Sequence, residues 1–169
     1  MNVKSFIREV QDYPEPGVSF KDITTLISNV DAFQFTVNSM EKFISKDIQF
    51  LASIDSRGFL FGSVLAYQLG LPNILLRKKG KLPPPVISKS YSLEYGNDVI
   101  EAGKTTMPKG KSIMIIDDLI ASGGSARAAS DLLVSCENEV KGICVVVKLE
   151  YLHPNKLFKN NIFSVCSYS

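Results

Sequence analysis

Residues 112–128 read SIMIIDDLIASGGSARA, and the fold can be worked outward from them. Four consecutive apolar residues, Ile113 to Ile116, predict a buried strand. Asp117 and Asp118 are read as its end. Leu119 and Ile120 lead into a turn of small residues, Ala121, Ser122, Gly123, Gly124 and Ser125, and a helical pattern starts at Ala126. Strand, paired acids, glycine-rich turn and helix, in that order, build a site for a sugar phosphate. The turn presents backbone N–H groups at a helix N-terminus, where partial positive charge favours an anion. Gly123 and Gly124 permit positive φ and a close backbone approach, and the hydroxyls of Ser122 and Ser125 add donors. Asp117 and Asp118 stand beside that cradle, where carboxylates can accept from sugar hydroxyls. The same pattern also fits a plainer structure, a buried strand followed by solvated acids and a capped helix.

A second strand-to-helix turn lies upstream. Ile48–Ile54 predicts a buried strand, Asp55-Ser56-Arg57-Gly58 follows, and a helix starts near Gly58. Asn73–Leu76 predicts a third strand, followed by the basic run Arg77-Lys78-Lys79-Gly80-Lys81. Gly142–Leu149 and Asn161–Cys166 predict two more strands, and 31–45 and 126–136 two helices. Strands alternating with helices indicate an α/β domain with a mostly parallel sheet covered on both faces. Ligands of such sheets bind at the carboxyl ends of the strands, so the two turns can face one crevice. Arg57 can grip a pyrophosphate through two parallel hydrogen bonds, or form a surface pair with Asp55. The basic run can neutralise a polyanion, or be a solvated edge.

The flanks are less regular. Asn2–Gln11 has helical spacing, with Val3, Phe6, Ile7 and Val10 on one face. Two prolines and a glycine make 12–17 irregular. Val18–Thr24 follows as an extended arm, on which Phe20 either stacks on a flat base or packs in the core. Residues 83–111 are polar and weakly periodic. Ser90–Gly96 alternates as a strand does, and Gly96-Asn97 signals a turn. A long hairpin of this kind makes a lid, and Glu94 on it is either a general acid or base in a closed site or an ordinary exposed glutamate. Gly103-Lys104-Thr105 mimics part of a nucleotide-triphosphate loop, but Asp98 stands where its first glycine belongs. His153 has no second histidine nearby, so no metal site of protein ligands is expected.

The totals agree with one domain. The chain has 169 residues, 45% hydrophobic and 21% charged, with a net charge of +2. That balance offers nothing to nucleic acid or a membrane surface, and no apolar run is long enough to span a bilayer. Cys136, Cys144 and Cys166 are odd in number and sit in apolar patterns, which suits reduced core thiols in a cytoplasmic protein.

Five segments carry a family resemblance. IIDDLIASGGSA (115–126) resembles the phosphoribosyl-pyrophosphate (PRPP) motif of type I phosphoribosyltransferases, with Ser122 and Ser125 where threonine is frequent. YPEPGVSFKDIT (13–24), IDSRGFLFG (54–62) with LLRKKGKLP (75–83), and SYSLEYG (90–96) resemble the adenine-specific branch of that family. The resemblance implies a single type I phosphoribosyltransferase domain over 1–169, with a small N-terminal hood (about 1–28) and a flexible lid hairpin (about 78–107). It implies transfer of the phosphoribosyl group of PRPP to adenine, giving AMP and pyrophosphate. The residues implied for the base are Ser19, Phe20 and Lys21, with Phe20 stacking and the backbone beside it reading the ring edge. For pyrophosphate they are Asp55, Ser56, Arg57, Arg77, Lys78, Lys81 and Tyr95, with a non-proline cis peptide frequent in the Arg57 loop. Asp117 and Asp118 hold the ribose hydroxyls, residues 121–125 hold the 5-phosphate, and Glu94, Arg57 and Asp118 take part in the chemistry. Mg²⁺ is expected to arrive with PRPP, held mainly by its oxygens and water, and the assembly is expected to be a homodimer. Departures at Ala102-Gly103 affect the lid. Enzymes of the same fold acting on guanine, xanthine or orotate, and a PRPP-sensing regulator without catalysis, are the competing readings.

Overall fold

A computed structural model describes residues 1–93 and 96–169, and the side chains outside 91–97. The apolar runs are the inner strands. β1 (Arg8–Gln11) and β2 (Ser19–Asp22) form a separate two-stranded antiparallel sheet. After the single helical turn α1 (Thr24–Ile27) and the helix α2 (Val30–Glu41) come β3 (Phe50–Ile54), α3 (Gly58–Leu69) and β4 (Asn73–Lys78). The hairpin β5 (Val86–Leu93) and β6 (Gly96–Gly103) follows, then β7 (Ser112–Ile120), α4 (Gly124–Ser135), β8 (Glu139–Leu149) and β9 (Asn161–Tyr168). The main sheet has seven strands in the order β5-β6-β4-β3-β7-β8-β9. From β4 to β9 the neighbours are parallel, while β6 joins β4 and β5 antiparallel.

Both faces of the sheet are covered, which is why its central strands read as unbroken apolar runs. Successive side chains of β7 point to opposite faces. Met114 and Ile116 pack with Val37 and Met40 of α2 and with Phe61 and Leu65 of α3. Ile113 and Ile115 pack with Ala129, Leu132 and Leu133 of α4 on the other side. All of these are nearly or wholly buried.

The order also fixes where a ligand can enter. From β3 the chain crosses through α3 to β4 on one side. β7 lies against the other side of β3, and its helix α4 leads onward to β8. The direction of winding therefore reverses between β3 and β7, and the loops leaving their carboxyl ends part there.

Three local expectations are corrected. Asp117 and Asp118 do not end β7, because pairing with β8 continues from Ser112 to Ile120, so the acids are part of the sheet. Asn2–Gln11 is not a helix: Val3–Phe6 is one tight 3-10 turn and Arg8–Gln11 is β1. A ten-residue helix is marginal by itself, whereas the strand gains a partner, with Arg8 opposite Asp22 and Val10 opposite Phe20. Gly96-Asn97 does not make the turn: both residues belong to β6, with Gly96 opposite Leu93 and Asn97 opposite Ser92. β6 extends the main sheet at Arg77↔Glu101 and Lys78↔Ile100, and Ile100 and Ala102 are buried.

Candidate active site

At the carboxyl end of β3, the Asp55 N–H donates to the Leu76 carbonyl of β4 (2.8 Å). Its carboxylate accepts from Arg77 Nε (2.9 Å), and Arg77 Nη1 donates to the Lys81 carbonyl (3.0 Å). The basic segment is thereby folded over the strand ends. The alternative reading of Arg57, a surface pair with Asp55, is not what forms, because Arg77 takes that carboxylate. The Asp55–Ser56 peptide is cis, as the resemblance implied.

Arg57 instead spans the crevice. Its Nε lies 3.0 Å from Asp118 Oδ2, and its guanidinium carbon lies 5.1 Å from the centre of the Phe20 ring. One side chain therefore touches both the acidic end of β7 and the aromatic residue of the N-terminal arm. Asp118 is buried, and among the described residues its Oδ2 has no well-directed hydrogen bond despite the nearby charge. The Asp118 N–H donates to Asp117 Oδ1 (2.9 Å). Burial raises the Asp117 carboxyl well above the usual 3.8, and the charge of Asp118 adds to the rise. Burial also raises Asp118, against the opposing pull of Arg57. Two adjoining carboxyls thus share one cation, and ionising both would leave an excess of negative charge that hydroxyl donors or a bound cation would relieve.

The turn after β7 is shaped by Gly123. Its φ is +89°, the left-handed region, and a Cβ there would sit 2.8 Å from the Pro154 carbonyl. Gly124 is different: it is the first residue of α4 and has no positive φ, so only one of the two glycines uses that freedom. Asp117 and residues 119–126, with Ile143, line a concavity of about 120 Å³ at the start of this twelve-residue helix. A much wider depression, about 910 Å³, lies at the other end of the strands beside Gln49, Ser112 and Glu139. It is ringed by charges of both signs and shares no lining residue with the Gly123 concavity.

The structure thus brings Phe20, Asp55, Arg57, Arg77, Asp117, Asp118 and the 121–125 turn to one rim. Phe20 also meets Tyr13 edge to face, at 5.2 Å. Ser56 and Lys81 are exposed beside it, and the exposed Lys78 pairs with Asp98 at 3.3 Å. The side chain of Lys21 is turned away from the rim and is 4% exposed, and Ser19 Oγ accepts from it, so these two face the rim with backbone at most. Glu94 and Tyr95 lie outside the described residues.

Two contributors escaped the sequence reading. Glu101 is buried and accepts from the Gly80 N–H (2.9 Å) and Ser88 Oγ (3.2 Å), tying the basic turn to the hairpin base. Its place between Ile100 and Ala102, in strand alternation, was the available signal. Gly58 opens α3 so close to β7 that a Cβ would stand 2.9 Å from both Asp117 Oδ1 and the Ile116 carbonyl. Among the described residues no group of three or more His, Cys, Asp or Glu could cage a metal ion.

Comparison with known proteins bears on this rim. The model of the phosphoribosyl transferase domain matches residues 21–165. The adenine phosphoribosyltransferase of Butyrivibrio fibrisolvens is 40% identical over 165 residues, covering 97% of this chain and 92% of that one. The chain belongs to the adenine phosphoribosyltransferase family. Another family member, from Brachyspira hyodysenteriae, is 43% identical over 157 residues, 92% of each chain. Among solved adenine phosphoribosyltransferases, that of Thermoanaerobacter pseudethanolicus superposes with a TM-score of 0.94 at 36% identity over 98% of both chains. That of Saccharomyces cerevisiae, complexed with an imino-altritol bisphosphate and adenine, gives 0.90 at 32% identity over 97% of this chain and 96% of that one. The sheet described above is thus the type I phosphoribosyltransferase fold.

Proposed function

We propose that the protein transfers the 5-phosphoribosyl group from PRPP to adenine, giving AMP and pyrophosphate in purine salvage. The observation that carries this reading is Arg57, whose one side chain reaches both Asp118 and Phe20 and so joins a sugar site to an aromatic platform. The 121–125 turn takes the 5-phosphate with its backbone N–H groups and the start of α4. Asp117 and Asp118 accept from the ribose hydroxyls. Held at both ends, the donor presents C1′ in line with adenine N9, which converts positional entropy into rate.

N9 forms its bond to C1′ as the bond from C1′ to the pyrophosphate oxygen breaks. Positive charge grows on the ribose beside Asp118, and negative charge grows on the departing pyrophosphate. Arg57, Arg77, Lys78 and Lys81, with the Asp55–Ser56 backbone, meet that charge. Glu94 takes the proton lost by the purine, and Tyr95 lines the pyrophosphate. Phe20 stacks on the base, and the backbone at Ser19 and Lys21 reads its edge. The 1–28 segment serves as hood and the 78–107 hairpin as lid on a single domain. Mg²⁺ bound to PRPP supplies further charge neutralisation. The paired carboxylates of Asp117 and Asp118, with Arg57 as their shared cation, fit an ion held mostly by PRPP and water. We place the enzyme in the cytoplasm, in keeping with three unpaired cysteines, and as a homodimer.

The test is a panel of bases mixed with protein, Mg²⁺ and PRPP, with nucleotide read by chromatography. AMP from adenine is expected, with little product from guanine, xanthine or orotate. Nucleotide from another base in preference would change the substrate. PRPP binding without any nucleotide would favour a regulator.

A further inference from the structure

Lys21 is the buried cation of the N-terminal unit, and its surroundings are unusual. Its ammonium donates to Glu9 Oε2 (2.6 Å) on β1 and to Ser19 Oγ (3.0 Å) on its own strand. It also lies over the Tyr168 ring, 4.3 Å from the centroid. Lys4 lies over the same ring at 4.7 Å. Tyr168 belongs to β9 of the main sheet, in register with Leu149 of β8. The ring therefore stands on the rigid body of the fold, and both ammonium groups come from the arm that carries Phe20. Other polar contacts of this arm, Arg8 with Asp22 and the Thr25 hydroxyl with the Phe6 carbonyl, remain within it. Val3, Ile7 and Ile23 pack it onto the apolar core, a non-directional attachment, and the directional contact on the rim side is that of Phe20 with Arg57, so Lys21 on Tyr168 is the matching hold on the opposite side of β2.

An ammonium over an aromatic face is directional, and it is strongest where water is excluded. Side chains of β2 alternate, so Lys21 held on one side fixes the backbone whose neighbouring residue, Phe20, points to the rim. Among the described residues the buried phenol oxygen of Tyr168 has no hydrogen-bond partner, and burial pushes its pKa up to about 12, so the group stays neutral. The ring, and not the hydroxyl, makes the attachment.

We infer that Tyr168 is a positioning residue for base recognition: its ring clamps Lys21 and thereby sets β2 and Phe20 against the crevice. This rests on the adenine reading above. Tyr168→Phe and Tyr168→Leu separate the ring from the rest. In AMP formation, Tyr168→Leu is expected to raise the adenine KM about tenfold, with kcat at saturating adenine and the PRPP KM nearly unchanged. Tyr168→Phe is expected to behave as wild type, and Lys21→Met, which removes the ammonium, to resemble Tyr168→Leu. Amide hydrogen exchange of residues 19–22 gives a readout independent of the reaction: faster in Tyr168→Leu, unchanged in Tyr168→Phe. An unchanged adenine KM, an equal rise in both KM values, or exchange that does not distinguish Leu from Phe would overturn the clamp. Absence of AMP from the wild-type protein would overturn the adenine reading instead, while the exchange result still decides whether the clamp exists.

Discussion

The turns after β3 and β7 stand side by side at the reversal of the sheet, each joining a buried strand to a twelve-residue helix. Their chemistry is opposite. The β3 turn projects a cation, Arg57, from a helix start that has no side-chain cap. The β7 turn keeps two acids inside the strand and then passes through the left-handed Gly123 into the start of α4. The difference teaches how one crevice can hold a ligand whose parts demand different partners. The acids suit neutral hydroxyl donors, the amides of a helix start suit a fixed phosphate, and the guanidinium, set between Asp118 and Phe20, suits a group that gains negative charge. Gly58 lets the two turns touch, since any larger residue would meet Asp117.

Removing the cation from the first turn should have the largest consequence. Arg57→Ala is expected to lower kcat/KM for PRPP by about 10³, because a charge-matched donor is lost and Asp118 is left buried without its counter-ion. A loss below tenfold in steady-state assays would mean that the turns do not act on one ligand. Next comes the backbone of the second turn. Gly123→Ala imposes a left-handed conformation on a residue with a Cβ and drives it into the Pro154 carbonyl, so PRPP affinity by calorimetry should fall about 100-fold. Unaltered affinity would remove the loop from the phosphate site.

The contact between the turns can be probed by itself. Gly58→Ala should raise the PRPP KM about tenfold, although alanine within a helix ordinarily stabilises by about 1 kcal/mol. Gly62→Ala, one turn along the same helix and set against Ser53 Oγ, should instead lower thermal stability without a PRPP-specific effect. If both variants gave the same kinetic profile, the Gly58 contact would be general packing.

The smallest expected effect concerns stability. The Asp117 carboxyl has a folded pKa above its unfolded value. Between those values the folded state holds more protons, so stability falls as pH rises through that window. Asp117→Asn should flatten this slope and raise Tm at pH 7 by a few degrees, while weakening PRPP. A lower Tm at pH 7 would show that the ionised pair stabilises the fold.

Most of this arrangement was legible in the chain because parallel strands buried on both faces leave unbroken apolar runs. Ile113–Ile116 and the valines of β8 could be little else, and turns rich in glycine and charge mark the strand ends. What escaped depends on tertiary partners. Arg8–Gln11 has helical spacing, yet β2 offered it a ladder. Asp117 and Asp118 looked like a strand end because acids are seldom placed within a sheet, and only pairing with β8 keeps them there. The choice of Asp118 over Asp55 as the partner of Arg57 follows from which strands are neighbours, which local sequence does not encode. Lys21 matched a base-site motif, but strand alternation turns its side chain onto Tyr168, almost 150 residues away.

The central claim is that one ligand is shared between the two turns, with its phosphate on residues 121–125 and its ribose on Asp117 and Asp118. A crystal structure of the protein with AMP tests this most directly. The account predicts the phosphate against the backbone amides beside Gly123, the ribose diol on the two aspartates and the base against Phe20. A nucleotide bound in the wide depression beside Ser112 and Glu139, with the Gly123 turn free of phosphate, would contradict it.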